Sequence, residues 1–252
     1  MHKKSSFVTL TYRDQDLPPC LNCSSSDSCG HPSLVKSHVQ KFIRRLRKKK
    51  LQFRYFHCGE YGDEENTTRP HYHLCVLGED FGKDREFHHK SETGFPLYTS
   101  EILNEAWQLG DVNPIGDLTF ESAAYTARYV MKKITGPDAA WWYTSLDSST
   151  GAVHERLPEY VTMSRRPGIG YEWFQKFKDD VYPSDEVIVR GKSCTVPRYY
   201  DRLIADEAPE LFERIKAKRI ASANTEDDTP ERRAVREEVA EARVSLLKRQ
   251  LT

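Results

Sequence analysis

The chain has 252 residues, enough for one sizeable core with an appendage or for two small domains. Charged residues make up 30% of it, mean hydropathy is −0.71, and no apolar run approaches the ~20 residues needed to span a bilayer, so a membrane partner is not expected. Lys plus Arg and Asp plus Glu number 38 each, for a net charge of zero, yet Lys36 to Arg54 holds nine basic residues and no acid. A neutral total of this kind can conceal a basic face suited to nucleic acid.

Phe7 to Tyr12 alternates strictly and reads as a central strand. The start, Met1-His2-Lys3-Lys4 and then this strand, is too short and polar for a signal-peptide core, so a cytoplasmic location with reduced thiols is expected. Arg13 to Ser33 is a polar loop carrying Cys20, Cys23, Cys29 and His31. These are the residue types of a small zinc knuckle, or a serine-rich loop that happens to carry thiols. Ser33 has the character of an N-cap for a helix running to about Lys50, with Val35, Val39, Phe42, Ile43 and Leu46 as its apolar stripe. Arg44, Arg45 and Lys48 lie on its basic face, either solvated or set against phosphate.

Leu51 to Tyr61 and His71 to Leu77 read as two strands joined by a polar loop, hence an antiparallel hairpin. Side chains alternate across a strand, so His71 and His73 leave one face as a preformed pair of potential metal ligands. Tyr72, Leu74 and Val76 point the other way, into a core. Hairpin pairing brings Glu60 near the histidines as a third ligand, unless it pairs with Arg69 instead. His57 is an alternative ligand, although parity separates it from Glu60. Cys58 and Cys75 fall in these strands and are expected to be buried thiols.

Asp80 to Leu97 reads as irregular, with His88 and His89 facing solvent. Ser100 to Leu109 reads as a short helix, Asp111 to Leu118 as a strand, and Phe120 to Ile134 as a helix stopped by Gly136-Pro137. On that helix Tyr125 and Tyr129 share a face, with Lys132 on a neighbouring track; two tyrosines so spaced are usually packing residues. Ala139 to Tyr160, with Trp141, Trp142 and Tyr143, reads as strands in a hairpin. Thr162 to Gly170 is a glycine-rich turn carrying Arg165 and Arg166, and a helix from Tyr171 to Val181 follows it. Val187 to Lys192 reads as a hairpin arm, and Pro197-Arg198-Tyr199-Tyr200 as a basic aromatic patch. From Asp206 the sequence is helical and charged, with a break near Asn224 to Pro230.

Phe-Val-Thr-Leu-Thr-Tyr at 7–12, Arg-Pro-His-Tyr-His at 69–73 and Tyr-x3-Tyr-x2-Lys at 125–132, in that order, resemble the rolling-circle replication initiators called HUH endonucleases. Cys-Gly-Glu-Tyr-Gly at 58–62 and Met-Ser-Arg-Arg-Pro-Gly-Ile-Gly at 163–170 bring the likeness closer to initiators of gokushovirus-like microviruses, small single-stranded DNA bacteriophages. The resemblance runs from Phe7 to Arg202. It implies His71 and His73 as ligands of Mg²⁺ or Mn²⁺, Tyr125 and Tyr129 as nucleophiles, and Lys132 as their helper. It also implies two successive strand transfers on single-stranded origin DNA, in the cytoplasm of a bacterial host and alongside the host replication machinery. Glu60 as a ligand rests on hairpin geometry alone. Candidate DNA contacts are Arg44, Arg45, Lys48, Lys133, Arg165, Arg166 and Arg198. Cysteines follow the first strand here rather than precede it, which departs from the pattern and points to a compact variant or a shortened N-terminus.

The expected fold is α+β: a mainly antiparallel central sheet with packed helices over residues 1–205, then a charged helical tail over 206–252. Two other readings remain: a non-catalytic single-strand binding module with structural histidines, and a plasmid or transposon enzyme of the same superfamily.

Overall fold

In the computed structural model the chain divides into two compact units, one comprising His2–Ile169 and the other beginning at Gly170. The described residues are 2–23, 30–62, 69–128, 133, 135–147, 150–223 and 227–246. Among them, no helix is long and apolar enough to cross a membrane.

The first unit contains, in chain order, β1 (Ser5–Leu10), α1 (Lys36–Lys48), β2 (Arg54–Tyr61), β3 (Pro70–Leu77), β4 (Glu86–Lys90), β5 (Pro96–Thr99), α2 (Glu101–Trp107), β6 (Ile115–Asp117), α3 (Phe120–Arg128), α4 (Asp138–Tyr143), β7 (Thr144–Leu146), β8 (Val153–Glu155) and β9 (Tyr160–Met163). Seven of these strands form one antiparallel sheet in the order β4-β5-β6-β1-β3-β2-β9, and β7 and β8 pair separately. The expected α+β class with a mainly antiparallel sheet is what the chain adopts.

Alternation along the inner strands sorts side chains onto two faces. Val8, Leu10, Tyr72, Leu74 and Val76 pack with Val39, Phe42, Ile43 and Leu46 of α1 and with Leu103, Ala106 and Trp107 of α2. The Tyr12 and Tyr72 hydroxyls meet at 2.8 Å within this core, and Val35 donates its N–H to Tyr72. On the other face Phe7, Cys58, Cys75 and Tyr125 make a smaller cluster beneath α3. The Cys58 and Cys75 thiols are buried as expected, and burial pushes both thiol pKa values up.

The second unit comprises α5 (Tyr171–Ser184), the hairpin β10 (Glu186–Val189) and β11 (Lys192–Thr195), α6 (Arg198–Glu207), α7 (Pro209–Ala221) and α8 (Pro230–Ser245). Its core gathers Phe174, Val181, Tyr182, Val196, Ile204 and Ile215. The Arg219 guanidinium joins Asp185 at 2.5 Å and Asp201 at 2.8 Å, tying α7 to the end of α5 and to α6. Residues beyond 206 therefore share a core with residues 170–205, because apolar positions of α6 and α7 pack with α5. The boundary between compact units falls at Gly170, ahead of the change in composition near 206.

Several local expectations differ from the structure. Val35, not Ser33, precedes the first turn of α1; the Ser33 hydroxyl instead accepts the Leu157 N–H at 2.9 Å. Residues 86–99 form a hairpin rather than an irregular stretch, closed by a turn from Ser91 to Phe95 with Gly94 at φ +85°. Every residue of β4 is exposed, so no alternation marked it. Trp141, Trp142 and Tyr143 end a short helix, and only the residues after them enter the β7–β8 hairpin.

Gly59 sits between Cys58 and Glu60 on the face toward α1. A Cβ there would meet Tyr160 Cε1 at 2.8 Å, Leu34 Cδ2 at 3.0 Å and Tyr72 Cδ1 at 3.1 Å. Gly59→Ala is expected to lower the unfolding free energy by about 1–3 kcal/mol through overpacking, read from urea denaturation. An unchanged midpoint would show that these rings yield freely.

Candidate metal centre and nucleic-acid interface

β3 runs between β1 and β2, and the register of both pairings builds the site. Glu60 stands directly opposite His71 in the β2–β3 ladder, and Thr9 opposite His73 in the β1–β3 ladder. Glu60 Oε1 lies 2.7 Å from His71 Nε2 and 2.8 Å from His73 Nε2. The ligand atoms of the three residues all lie within 4.8 Å of one another. Glu60 and His73 are buried, and His71 is half-buried. Burial by itself raises the Glu60 carboxyl pKa, but hydrogen bonds to His71 and His73 outweigh it and hold the group at about 2.

The outer nitrogens of both rings are also engaged. His71 Nδ1 is 3.2 Å from the Arg69 carbonyl, which can only accept, so that nitrogen carries the proton. In the neutral ring this leaves the Nε2 lone pair aimed at a carboxylate oxygen, an arrangement satisfied only by a proton or a cation between them. His73 Nδ1 meets the Thr9 hydroxyl at 3.1 Å, and its ring stacks on Phe7 at 5.3 Å between centroids. Metal-binding histidines are commonly oriented through the far ring nitrogen in this manner. Two imidazoles and a carboxylate fit a divalent cation that keeps open positions for substrate.

The other reading of Glu60, pairing with Arg69, does not occur: Arg69 joins Asp14 at 2.7 Å and the Tyr12 carbonyl. His57 points away from the group, 2.9 Å from the Thr162 hydroxyl, and burial lowers its pKa to about 4, keeping it neutral. Thr9 and Phe7 were not singled out from the sequence, although the parity of β1 puts both on the histidine face.

α3 lies on the same face. Its first turn is capped reciprocally: Thr119 Oγ1 accepts the Ser122 N–H at 3.2 Å, and Ser122 Oγ accepts the Thr119 N–H at 2.9 Å. One turn later Thr126 contacts Cys75 Sγ at 3.5 Å, and the Tyr125 ring stands edge-on to His73 at 5.6 Å between centroids. Tyr125 is buried there, 7% exposed. Tyr129 and Lys132 lie outside the described residues.

The candidate DNA contacts separate. α1 covers the sheet face opposite His71 and His73, carrying Arg44, Arg45 and Lys48 with it. Arg45 is further committed, donating to the Ala106 carbonyl at 3.0 Å at the end of α2. Lys133 is exposed, and Arg198 belongs to the second unit, where its neighbour Tyr200 stacks on Trp173 at 5.6 Å. Arg165 and Arg166 are exposed and line a cleft of about 510 Å³ with Arg47 and Arg54. Arg54 Nε and Nη2 are buried beside it with no hydrogen-bond partner among the described residues.

The zinc-knuckle residues are rearranged as well. Cys20 and Cys23 come together, Cys29 lies outside the described residues, and His31 sits 5.0 Å from His154 between ring centroids. The group that forms is Cys20, Cys23 and His154, with a histidine far along the chain that sequence spacing does not flag.

Residues 5–134 match the family model described as replication-associated protein ORF2/gene 2 protein. The chain is 34% identical over 228 residues to the replication-associated protein ORF2 of Spiroplasma virus 4, covering 86% of this chain and 63% of that protein. It is 29% identical over 215 residues to the replication-associated protein VP4 of Bdellovibrio phage phiMH2K, covering 84% of this chain and 61% of that protein. It thus spans less than two thirds of either relative's length. No solved structure matches it significantly. The stretch from β1 through α3, which brings Glu60, His71, His73 and Tyr125 together, falls wholly inside the matched segment, and the chain belongs to this replication-associated protein family, as a microvirus-like member of it.

Proposed function

We propose that the protein initiates replication of a single-stranded DNA phage genome by nicking and rejoining DNA through tyrosine, in the cytoplasm of the bacterial host. The observation that carries this reading is the edge-on approach of Tyr125 to His73, which together with His71 converges on Glu60. Glu60, His71 and His73 would hold Mg²⁺ or Mn²⁺, which supplies positive charge to the non-bridging oxygens of a scissile phosphate. Arg69 and Thr9 orient the two imidazoles. A phenol oxygen of Tyr125 or Tyr129 attacks phosphorus, forming a 5′-phosphotyrosyl bond as the bond to the 3′ oxygen breaks. The electron pair goes to that oxygen, which takes up a proton while the phenol loses one. One phosphodiester replaces another, so the step runs without ATP and can be reversed to seal a strand. Lys132 is assigned to assist the phenol or neutralise the phosphate. The second tyrosine allows a second transfer after a round of synthesis.

The nicking and joining chemistry is assigned to the first unit, with Arg165, Arg166, Arg47 and Arg54 as a phosphate contact for the bound strand. Arg54 shares strand parity with Glu60 six residues away, about 20 Å along β2, so this cleft would hold nucleotides at some remove from the cleaved bond.

Tyr125→Phe with Tyr129→Phe is expected to abolish the covalent adduct with origin oligonucleotide on denaturing gels, while binding read by fluorescence anisotropy stays within a few-fold. Persistence of the adduct would remove both phenols from the nucleophile role. Thr9→Val should keep the fold but weaken Mn²⁺ binding about 10–100-fold by calorimetry, because it unseats His73 from behind; unchanged affinity would place the cation elsewhere. Arg54→Ala with Arg165→Ala should weaken single-strand binding and reduce the log–log salt slope by about 0.7 for each phosphate no longer neutralised. An unaltered slope would count against the cleft.

A further inference from the structure

Cys20 and Cys23 lie in the loop after β1, whereas His154 lies in β8, more than a hundred residues later. The structure closes that separation. His154 Nδ1 is 3.5 Å from Cys20 Sγ and 3.5 Å from Cys23 Sγ, and the three atoms fall within 4.8 Å of one another. Zinc bonds of ~2.3 Å to sulfur and ~2.0 Å to nitrogen, at tetrahedral angles, set sulfur and nitrogen ligands about 3.5 Å apart. A single ring nitrogen has one proton or one lone pair and cannot serve two thiols equally; a cation among the three atoms serves them all.

The loop is also docked by its backbone. Leu21 donates its N–H to the Glu155 carbonyl at 2.8 Å, and Asn22 Nδ2 donates to the Val153 carbonyl at 3.2 Å. Cys20 and His154 are buried, at 2% and 4% exposure, and Cys23 is half-buried. The sulfurs are thus presented to the imidazole by contacts that do not involve them. We propose that Cys20, Cys23 and His154 bind a zinc ion, a structural site separate from Glu60, His71 and His73, which fastens the loop after β1 to the β7–β8 hairpin. Both thiols give up their protons on binding, and two thiolates with a neutral imidazole leave a buried site without net charge. Soft sulfur ligands select zinc over the harder Mg²⁺ or Mn²⁺ suited to the carboxylate site. His31, beside His154, stands where a fourth ligand from the same loop can reach.

The full chain, purified with reductant and reloaded with Co²⁺ after zinc removal, tests this. A thiolate-to-cobalt charge-transfer band is expected, present equally in His71→Ala with His73→Ala. His154→Ala should weaken the Co²⁺ affinity behind this band by on the order of a hundredfold or more, since losing even an outer-sphere partner costs 10–100-fold. Should His154→Ala fail to fold, a mercurial titration of the unmodified chain with a zinc-sensitive dye replaces it, and zinc must appear as thiols are blocked. Absence of the band in the unmodified chain, its persistence unchanged in folded His154→Ala, or blocking of thiols without zinc release would each overturn the assignment.

Discussion

The antiparallel pairing of β3 with its two neighbours is the constraint on which the candidate site depends. One register places Glu60 opposite His71 and the other places Thr9 opposite His73. A slip of one residue in either ladder would turn these groups to the other face, among the leucines and tyrosines beneath α1. The apolar alternation of Val8, Leu10, Tyr72, Leu74 and Val76 opposes such a slip, because each belongs to the main core. Packing on one side of the sheet therefore sets the chemistry on the other.

A buried carboxylate is costly unless its charge is met, and here two imidazole nitrogens meet it. The unit keeps its basic residues apart from this acid. Part of the positive charge counted along the sequence has a structural role, as with Arg45 on the carbonyl of Ala106 and Arg69 on Asp14. The cleft of Arg47, Arg54, Arg165 and Arg166 lies at the far end of β2. Counting charges along a helix overstated its availability, because the C-terminal carbonyls of a neighbouring helix claimed one of them.

Strand parity made His71, His73 and Glu60 legible, since the period of a strand is short and the connecting loop holds the two strands adjacent. The same reasoning separated His57 correctly. Position along the chain could not reveal His154, whose approach to Cys20 depends on how a distant hairpin docks. Ser33 carried the composition of a cap, yet its hydroxyl serves Leu157, a partner no local pattern anticipates. β4 left no trace in the hydropathy because both its faces are exposed, and Trp141 and Trp142 favoured a strand by type while standing exposed on a short helix. Tyr125 was legible by its spacing; its burial against His73 was not, because it follows from the docking of α3 through Cys75 and Thr126.

The sheet acts as a partition whose two sides are written by alternate letters of the same strands. Odd positions of β3 carry reactive groups and even positions carry ballast, so a lineage can revise one set while leaving the other untouched. Gly59 marks where that independence ends. At this one point on β2 the ballast from three elements closes over the backbone beside Glu60, and drift on the quiet side of the wall would there be transmitted to the working side.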